Sequence, residues 1–528
     1  FGNWSVPIAN IAVDLNQQSA TLNPSVNTAE HLLSLAVAYR KASQYEPMGL
    51  AADAARAVGS QSSISLRLSA ESRRLDARPN EAIRLIDEKR REYRLENSYD
   101  LVKERALSLI EVDQATEAID DLERAALDNP DNASILLQLG NAHHQSGNAE
   151  NALTHLERAL SIAPQERAIR KSMAAHLLEI GRTNESVLIL DSLLAEDPTD
   201  VDAAATRGIA LLSGGDFLEG WPAYQNRLRQ STANISYARF PHKNWQGESL
   251  AGAHVLVWTE QGVGEELLVS TLIPELTALA QSVTLLCSSR MVQLFKRSFL
   301  GVNVEERKEP LSLAAVNPKI DFQMSLSDLG SALRPSVRAF TDSKVGCVLI
   351  PKPELTKELR GRYRGNREDL PLVGLSWQST APYLGRLKSL DINLATKFVQ
   401  SANAAFVSLQ YSPDPDHLKA LSRTGREMWI HDPAIDALES IDRAAAQIAA
   451  MDYVVTVSNS TAHLAGALGI PTALLVPQGT GRHWYWLRNQ DKSLWYKSVQ
   501  QFETVSQDGW ARATSSIAEI IDALGQHS

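Results

Sequence analysis

The chain of 528 residues is 44 % hydrophobic and carries a formal net charge of −10, with two cysteines, Cys287 and Cys347. That length holds roughly two to four domains, and the negative balance argues against a nucleic-acid backbone as partner, because no positive field is present to displace its counterions. Two thiols make neither a disulfide framework nor a zinc site. No run approaches the roughly twenty apolar residues of a membrane helix, and the first residues lack a signal-peptide pattern, so a cytoplasmic protein is expected.

From Asn27 to about Arg229 the sequence is rich in Ala, Leu and charged residues, and it repeats. Gly140, Gly147, Ala152, Leu156, Ala159 and Pro164 fall on the pattern of a 34-residue helix–turn–helix unit. Steps of that length reach Gly181, Leu190 and Pro198, then Gly215 and Tyr224, and in the other direction Ala106, Ala118, Leu122 and Pro130. An earlier unit is visible around Leu33 to Ala55, whereas Ser62 to Asn97 fits only loosely. These units resemble tetratricopeptide repeats, and residues 1–230 are expected to stack into an α-solenoid whose groove binds a protein segment. A spacer or an arm for homo-oligomers is the competing use.

Ser231 to Gly252, with Pro241, Phe240 and Trp245, breaks the period and reads as a linker. His254 to Thr259 is then a buried strand, followed by Glu260-Gln261-Gly262-Val263-Gly264-Glu265-Glu266 and a helical pattern from Leu267 to Ala280. Paired glycines at a strand-to-helix turn let backbone approach a ligand, and Glu265 or Glu266 at the helix start is a candidate general base. Both carboxylates also suit plain complementation of the helix dipole. Strands at Ser282–Cys287 and Asp321–Met324 complete a first α/β lobe, residues 253–350, and Pro335 to Arg367 reads as the connection to a second, residues 351–528.

The second lobe opens with a strand at Leu372–Trp377, has Arg386 and Lys388 in a polar loop, and places Gln410 at the end of the strand Ala405–Gln410. Lys388 or Arg386 can neutralise a leaving diphosphate, although an ordinary solvated loop contains such cations too. No Asp-x-Asp cluster stands at a strand end, so no metal or other cofactor is expected. The densest signal is Asp452 to Pro477, which reads as strand, polar turn, helix and strand. Ser458, Asn459 and Ser460 are N-cap residues, Thr461 and His463 fall in the first helical turn, and the helix start favours an anion such as phosphate. Capping alone and a buried histidine are the plainer account of the same residues. Beyond it, Arg482, His483 and Trp484 can close over a ligand and Trp495 and Tyr496 can stack on a ring, or the segment is an aromatic plug.

The blocks Glu260-Gln261-Gly262-Val263-Gly264, Gly374-Leu375-Ser376-Trp377, Ser408-Leu409-Gln410, His463-Leu464-Ala465-Gly466-Ala467-Leu468-Gly469 and Trp495-Tyr496 resemble, in order and spacing, bacterial proteins that fuse tetratricopeptide repeats to a GT-B glycosyltransferase module. That module is similar to the heptosyltransferases and, more distantly, to the O-GlcNAc transferases. The resemblance implies two Rossmann-like lobes, a nucleotide sugar held by the second and a final helix (Ala511 to Leu524) crossing back to the first. Glu260, Gln261, Gly262, Gly264 and Glu266 would form the acceptor-side loop, with Glu265 and His463 catalytic. Trp377, Arg386, Lys388, Gln410, Ser458, Asn459, Ser460, Thr461 and His463 would bind the nucleotide sugar.

Two departures stand out: Glu265 replaces the relatives' usual Asp, and Ser458-Asn459 replaces the heptosyltransferases' Asp-Thr. The expected activity is transfer of a sugar to a Ser or Thr hydroxyl of a protein recruited by the repeats, with flagellin the first acceptor to try and a nonulosonic acid one donor. A scaffold with a degenerate module, and a lipid or polysaccharide glycosyltransferase, are the alternatives.

Overall fold

The computed structural model describes residues 26–525 apart from 96–97, 231–239, 261, 309–311, 313, 344–345, 366–368, 382–384, 425–428 and 505–506. The chain divides into two compact units, Phe1–His176 and Leu177–Ser528.

The first unit is helical: α1 (Val26–Lys41), α2 (Tyr45–Ala57), α3 (Ser63–Leu75), α4 (Pro79–Glu92), α5 (Tyr99–Glu111), α6 (Ala115–Asp128), α7 (Ala133–Ser146), α8 (Ala149–Ile162) and most of α9 (Arg167–Glu179). The starts of α5, α7 and α9 are spaced 34 residues apart, as are those of α6 and α8. Between α3 and α5 the spacing is 36, which is why Ser62 to Asn97 matches the period poorly. Small residues sit where the helices cross. A Cβ on Gly140 would lie 2.6 Å from Leu156 Cγ, so α7 and α8 touch only because that position is glycine. Buried Arg105 ties neighbouring helices together, bonding Asp87 at 2.7 Å, Glu117 at 2.5 Å and Asp121 at 2.5 Å.

The second unit begins with α10 (Thr183–Glu196), α11 (Val201–Ser213) and α12 (Phe217–Tyr224). Phe217, Trp221 and Tyr224 of α12 are buried in one continuous core with residues of both α/β lobes. Trp221 Nε1 donates to Arg334 O at 2.9 Å, and a Cβ on Gly330 would stand 2.5 Å from the Trp221 ring. The last repeat helices are thus built into the α/β body.

The first lobe comprises β1 (Lys243–Asn244), β2 (His254–Trp258), α13 (Val263–Ser270), α14 (Ile273–Leu279), β3 (Ser282–Cys287), α15 (Val292–Ser298), β4 (Asn303–Glu306), β5 (Phe322–Ser325), α16 (Gly330–Leu333) and α17 (Val337–Asp342). Its parallel sheet has the order β1-β5-β2-β3-β4. The second lobe follows α18 (Pro353–Arg364) with β6 (Leu372–Ser376), α19 (Ile392–Ser401), β7 (Ala405–Ser408), α20 (Pro415–Ser422), β8 (Trp429–Ile430), α21 (Ile441–Ala449), β9 (Tyr453–Val457), α22 (Ser460–Ala467), β10 (Thr472–Pro477), β11 (Val499–Thr504) and α23 (Gln507–Gly525). Its sheet, also parallel, runs β11-β10-β9-β6-β7-β8. The expected class, an α-solenoid followed by two Rossmann-like lobes in the GT-B manner, is the class found.

Several elements differ from expectation, among them the strands β4 and β11 and the helix α20, for which no expectation was made. Lys243 and Asn244, inside the expected linker, pair with Phe322 and Gln323 as an edge strand too short to show a pattern. The helix expected from Leu267 to Ala280 is two, because Pro274 starts α14 afresh. The stretch Pro335 to Arg367, read as a connection, contains α18, whose Arg360 bonds Ala450 O at 2.6 Å. The last helix stays on its own lobe instead of crossing: Trp510, Ala513, Ile517 and Ile521 are buried with Val373 and Leu475, and Asp522 accepts from Asn403 N at 2.8 Å.

Candidate active site

β2 and β3 of one sheet and β6, β7 and β9 of the other end on a shared cleft of about 590 Å³. The carboxyl ends of parallel strands are where open α/β sheets take ligands, and this volume falls in the usual range of roughly 300–1,000 Å³. Gly262 to Glu265 and Arg290 line one side; Ser379, Thr380, Lys388, Tyr411, Ser458 to Ser460, His463, His483 and Tyr485 are on the other.

The second lobe's wall is fastened by its own hydrogen bonds. Asn459 caps α22, its Oδ1 accepting from Thr461 N at 3.0 Å and Thr456 Oγ1 at 3.1 Å, while Nδ2 donates to Ser376 Oγ at 2.9 Å and Gln378 O at 3.1 Å. One side chain therefore starts the helix and locks the end of β6 to the end of β9. Ser458 Oγ accepts from Trp486 Nε1 at 3.0 Å, and Ser460 opens the helix facing the cleft. Thr461 is buried behind it.

His463 is 2 % exposed, with its ring stacked on Trp486 at 5.0 Å and edge-on to Tyr485. Its Nδ1 lies 3.1 Å from Tyr496 OH, and burial, followed by the charges of His483 and Lys388, pushes it down to about 3. It is a neutral ring at physiological pH and a poor proton acceptor, which narrows the catalytic role expected for it. Its Nδ1 is thus engaged with Tyr496, and its other edge lies beside Gly264. A Cβ there would lie 3.0 Å from His463 Cδ2, so the second glycine of the turn lets α13 meet α22 across the cleft.

Lys388, 3 % exposed, brings its Nζ 2.9 Å from His483 Nε2. An ammonium only donates, so this nitrogen of His483 accepts and the ring is neutral. Burial pushes Lys388 down to about 8, opposed by Glu179, and pushes His483 down to about 3, helped by Lys388. On the facing wall, burial and then the charge of Glu260 push Glu265 up to about 7, opposed by Arg227. The cleft therefore holds a carboxyl and an ammonium that both titrate near neutral pH, the pattern of groups prepared for proton transfer and anion binding.

Other expected site residues are occupied elsewhere. Glu260 is buried in an ion pair with Arg227 and accepts from Ser325 Oγ. Glu266 accepts from Thr259 Oγ1 and from Ser288 N and Oγ, both at 2.7 Å, and so ties β2 to the end of β3 instead of serving as a base. Trp377 is fully buried against Trp429 in the second lobe's core, and no face remains for a nucleotide. Gln410 spends its amide on Trp377 N at 3.1 Å, Gln378 N at 2.9 Å and the carbonyls of Gln378 and Tyr411 at 3.0 Å each; it splints two strand ends. Arg386 is exposed and is not among the residues that line the cleft. Gln261 lies outside the described residues. Of the aromatic segment, Arg482 bonds Trp486 O and Leu487 O at 2.5 Å each and Glu503 at 2.8 Å, while Trp484 and Trp495 pack edge-on to Trp221. These form the plug; His483 and Tyr485 face the cleft.

Sequence reasoning missed Tyr485, in the segment after β10, and Arg290, Ser379, Thr380 and Tyr411. The last four sit three or four residues past a strand end, and that position is the signal that could have found them. Glu179, a repeat residue far away in sequence, gave none.

A helical-repeat protein joined to a two-lobed parallel α/β module of GT-B type is what the fold and cleft define. Family models described as tetratricopeptide repeat match residues 103–167 and 144–210. The chain is similar to Protein FlbA of Caulobacter vibrioides, 27 % identical over 433 residues that cover 78 % of this chain and 71 % of that protein. Among solved structures it is similar to the glycosyl transferase family 9 from Veillonella parvula, with 9 % identity, a TM-score of 0.39 and coverage of 53 % of this chain and 99 % of that one. It is also similar to the O-GlcNAc transferase of Thermobaculum terrenum, with 14 % identity, a TM-score of 0.29 and coverage of 81 % and 91 %.

Proposed function

We propose that the protein is a glycosyltransferase that moves a sugar from a nucleotide-sugar donor to a Ser or Thr hydroxyl of a protein acceptor. The reading is carried by the cleft itself, where Lys388 and the start of α22 on one wall face Glu265 on the other. The acceptor oxygen attacks the anomeric carbon as Glu265 takes its proton, and the bond from that carbon to the leaving nucleotide's phosphate oxygen breaks. Lys388 and the positive end of α22 receive the charge that collects on the leaving phosphate. Arg290 adds a second cation at the rim.

The repeats support a protein acceptor, since stacked helix pairs present a groove suited to a peptide segment. Flagellin remains the acceptor to try first, on the strength of the resemblance in sequence. With Lys388 and the helix start supplying positive charge, turnover is expected to survive a chelator. Among the described residues no helix is long and apolar enough to cross a membrane, and a cytoplasmic location is part of the same proposal.

Calorimetric titration with UDP, GDP, ADP and CMP tests the reading. One nucleotide should bind, and Lys388→Ala should weaken it roughly 10- to 100-fold, the value of a charge-assisted contact. Failure of all four to bind would favour a repeat scaffold with a degenerate module.

A further inference from the structure

Behind the cleft, His483 has a second neighbourhood. It lies in the segment Gly479 to Arg488, whose other side lines a small cavity with Leu178, Glu179 and Ile209 from the repeat helices. Glu179, the last residue of α9, accepts from Gly481 N at 3.1 Å through its carboxylate, and its main-chain oxygen accepts from Arg488 Nη2 at 2.6 Å. Gly181, at φ +87°, turns the chain here, and a Cβ on it would press within 2.8 Å of Arg488 Nε. Two hydrogen bonds and one obligatory glycine thus clamp the segment that carries His483.

The charges around Lys388 make Glu179 more than a clamp. Facing Lys388 are the neutral rings of His483 and His463, with Arg488 beyond them and Glu265 and Arg290 across the cleft. Arg482, on the same segment, is paired with Glu503. Burial raises the pKa of Glu179 itself, opposed by the Gly481 N–H and the charges of Arg488 and Lys388, and its carboxylate charge in turn acts on both Lys388 and Arg488.

We propose that Glu179 is a positioning residue of the cleft: its carboxylate fixes the Gly479–Arg488 segment and supplies the negative charge that keeps Lys388 cationic where a phosphate would bind. The proposal rests on the reading of the cleft as a diphosphate site and adds to it a dependence on a repeat residue. Burial alone would strip the proton from Lys388 at moderately alkaline pH, and Glu179 opposes this.

The test uses the full chain labelled with ¹³C at lysine Cε, with the Lys388 resonance assigned from Lys388→Arg, and a parallel titration with inorganic pyrophosphate at pH 6 and pH 8. In Glu179→Gln, which keeps an acceptor for Gly481 N but loses the charge, Lys388 should titrate at lower pH than in the wild type. Pyrophosphate binding should fall about fivefold at pH 8 and stay unchanged at pH 6. Glu179→Asp, which keeps the charge, should restore the titration and serves as the folded control. An unchanged Lys388 midpoint in Glu179→Gln, or an equal loss of binding at both pH values, would overturn the proposal. A wild-type protein that takes neither pyrophosphate nor any of UDP, GDP, ADP and CMP would sink the transferase reading instead, leaving the Lys388 midpoint to decide this one.

Discussion

On the second lobe's wall of the cleft, Asn459, Ser458, Lys388 and His463 each have a protein partner in place before any ligand arrives. Opposite them, among the described residues, the first lobe offers Gly262, where an added Cβ would meet nothing within 4 Å, then Gly264, Glu265 and, at the rim, Arg290. Preorganised donors and cations suit a ligand of fixed shape and charge, because no reorganisation is needed when it binds. Open backbone suits a partner whose shape varies, with a group placed to act on it. The division fits a donor held by the second lobe and an acceptor admitted over the first.

Removing the Glu265 carboxylate from the open wall should have the largest effect. Glu265→Gln should lower kcat by about 10²- to 10⁴-fold and leave nucleotide affinity nearly unchanged, since the fastened wall is untouched. A comparable loss of affinity would show that the two walls do not divide the work. The wild-type pH profile sharpens the same point. Transfer needs Glu265 ionised and Lys388 protonated, so the rate should rise through about pH 7 and fall through about pH 8. Glu265→Gln should erase the acid limb of the residual activity and keep the alkaline one.

A smaller effect is expected where the walls touch. In Gly264→Ala the new methyl would stand 3.0 Å from His463 Cδ2, and the ring is held by Trp486 and Tyr485 and cannot retreat. The variant should lose about 1–3 kcal/mol of stability, seen as a lowered melting temperature, with kcat falling because the turn carrying Glu265 moves. An unchanged melting curve would show that α13 and α22 have slack between them.

How much of this was legible in the sequence follows from how far each signal reaches. The 34-residue spacing and the buried β-branched strands are local patterns, and the repeats and the inner strands of both sheets were read from them, whereas the edge strands β1, β4 and β11 were not. Glu265 and Lys388, which both line the cleft, were singled out because their chemistry is unusual next to a glycine turn and in a polar loop. Sequence could not tell Glu265 from Glu266, adjacent carboxylates at one helix start: a helix turns about 100° per residue, so one faces the cleft and the other reaches Ser288. Nor could it tell Gln410 or Trp377 from ligand contacts, since what consumes them lies more than 30 residues away in the chain. Glu179 was invisible for the same reason, at a separation of about 300 residues from Gly481.

Arg386 and Lys388 make the finest test of the comparison, being two cations two residues apart in one short 3₁₀ turn. Sequence treats them alike, and a mere excess of positive charge near the cleft would make them interchangeable. Their surroundings differ: Lys388 is enclosed against His483, whereas Arg386 is exposed, where water and salt screen its field within about 10 Å. Arg386→Ala should therefore change the affinity for the bound nucleotide by less than about twofold at physiological salt, while Lys388→Ala takes the full loss. Equal losses from the two substitutions would mean that the wall binds anions through a diffuse field, and the case for a fastened, preformed phosphate site would go with it.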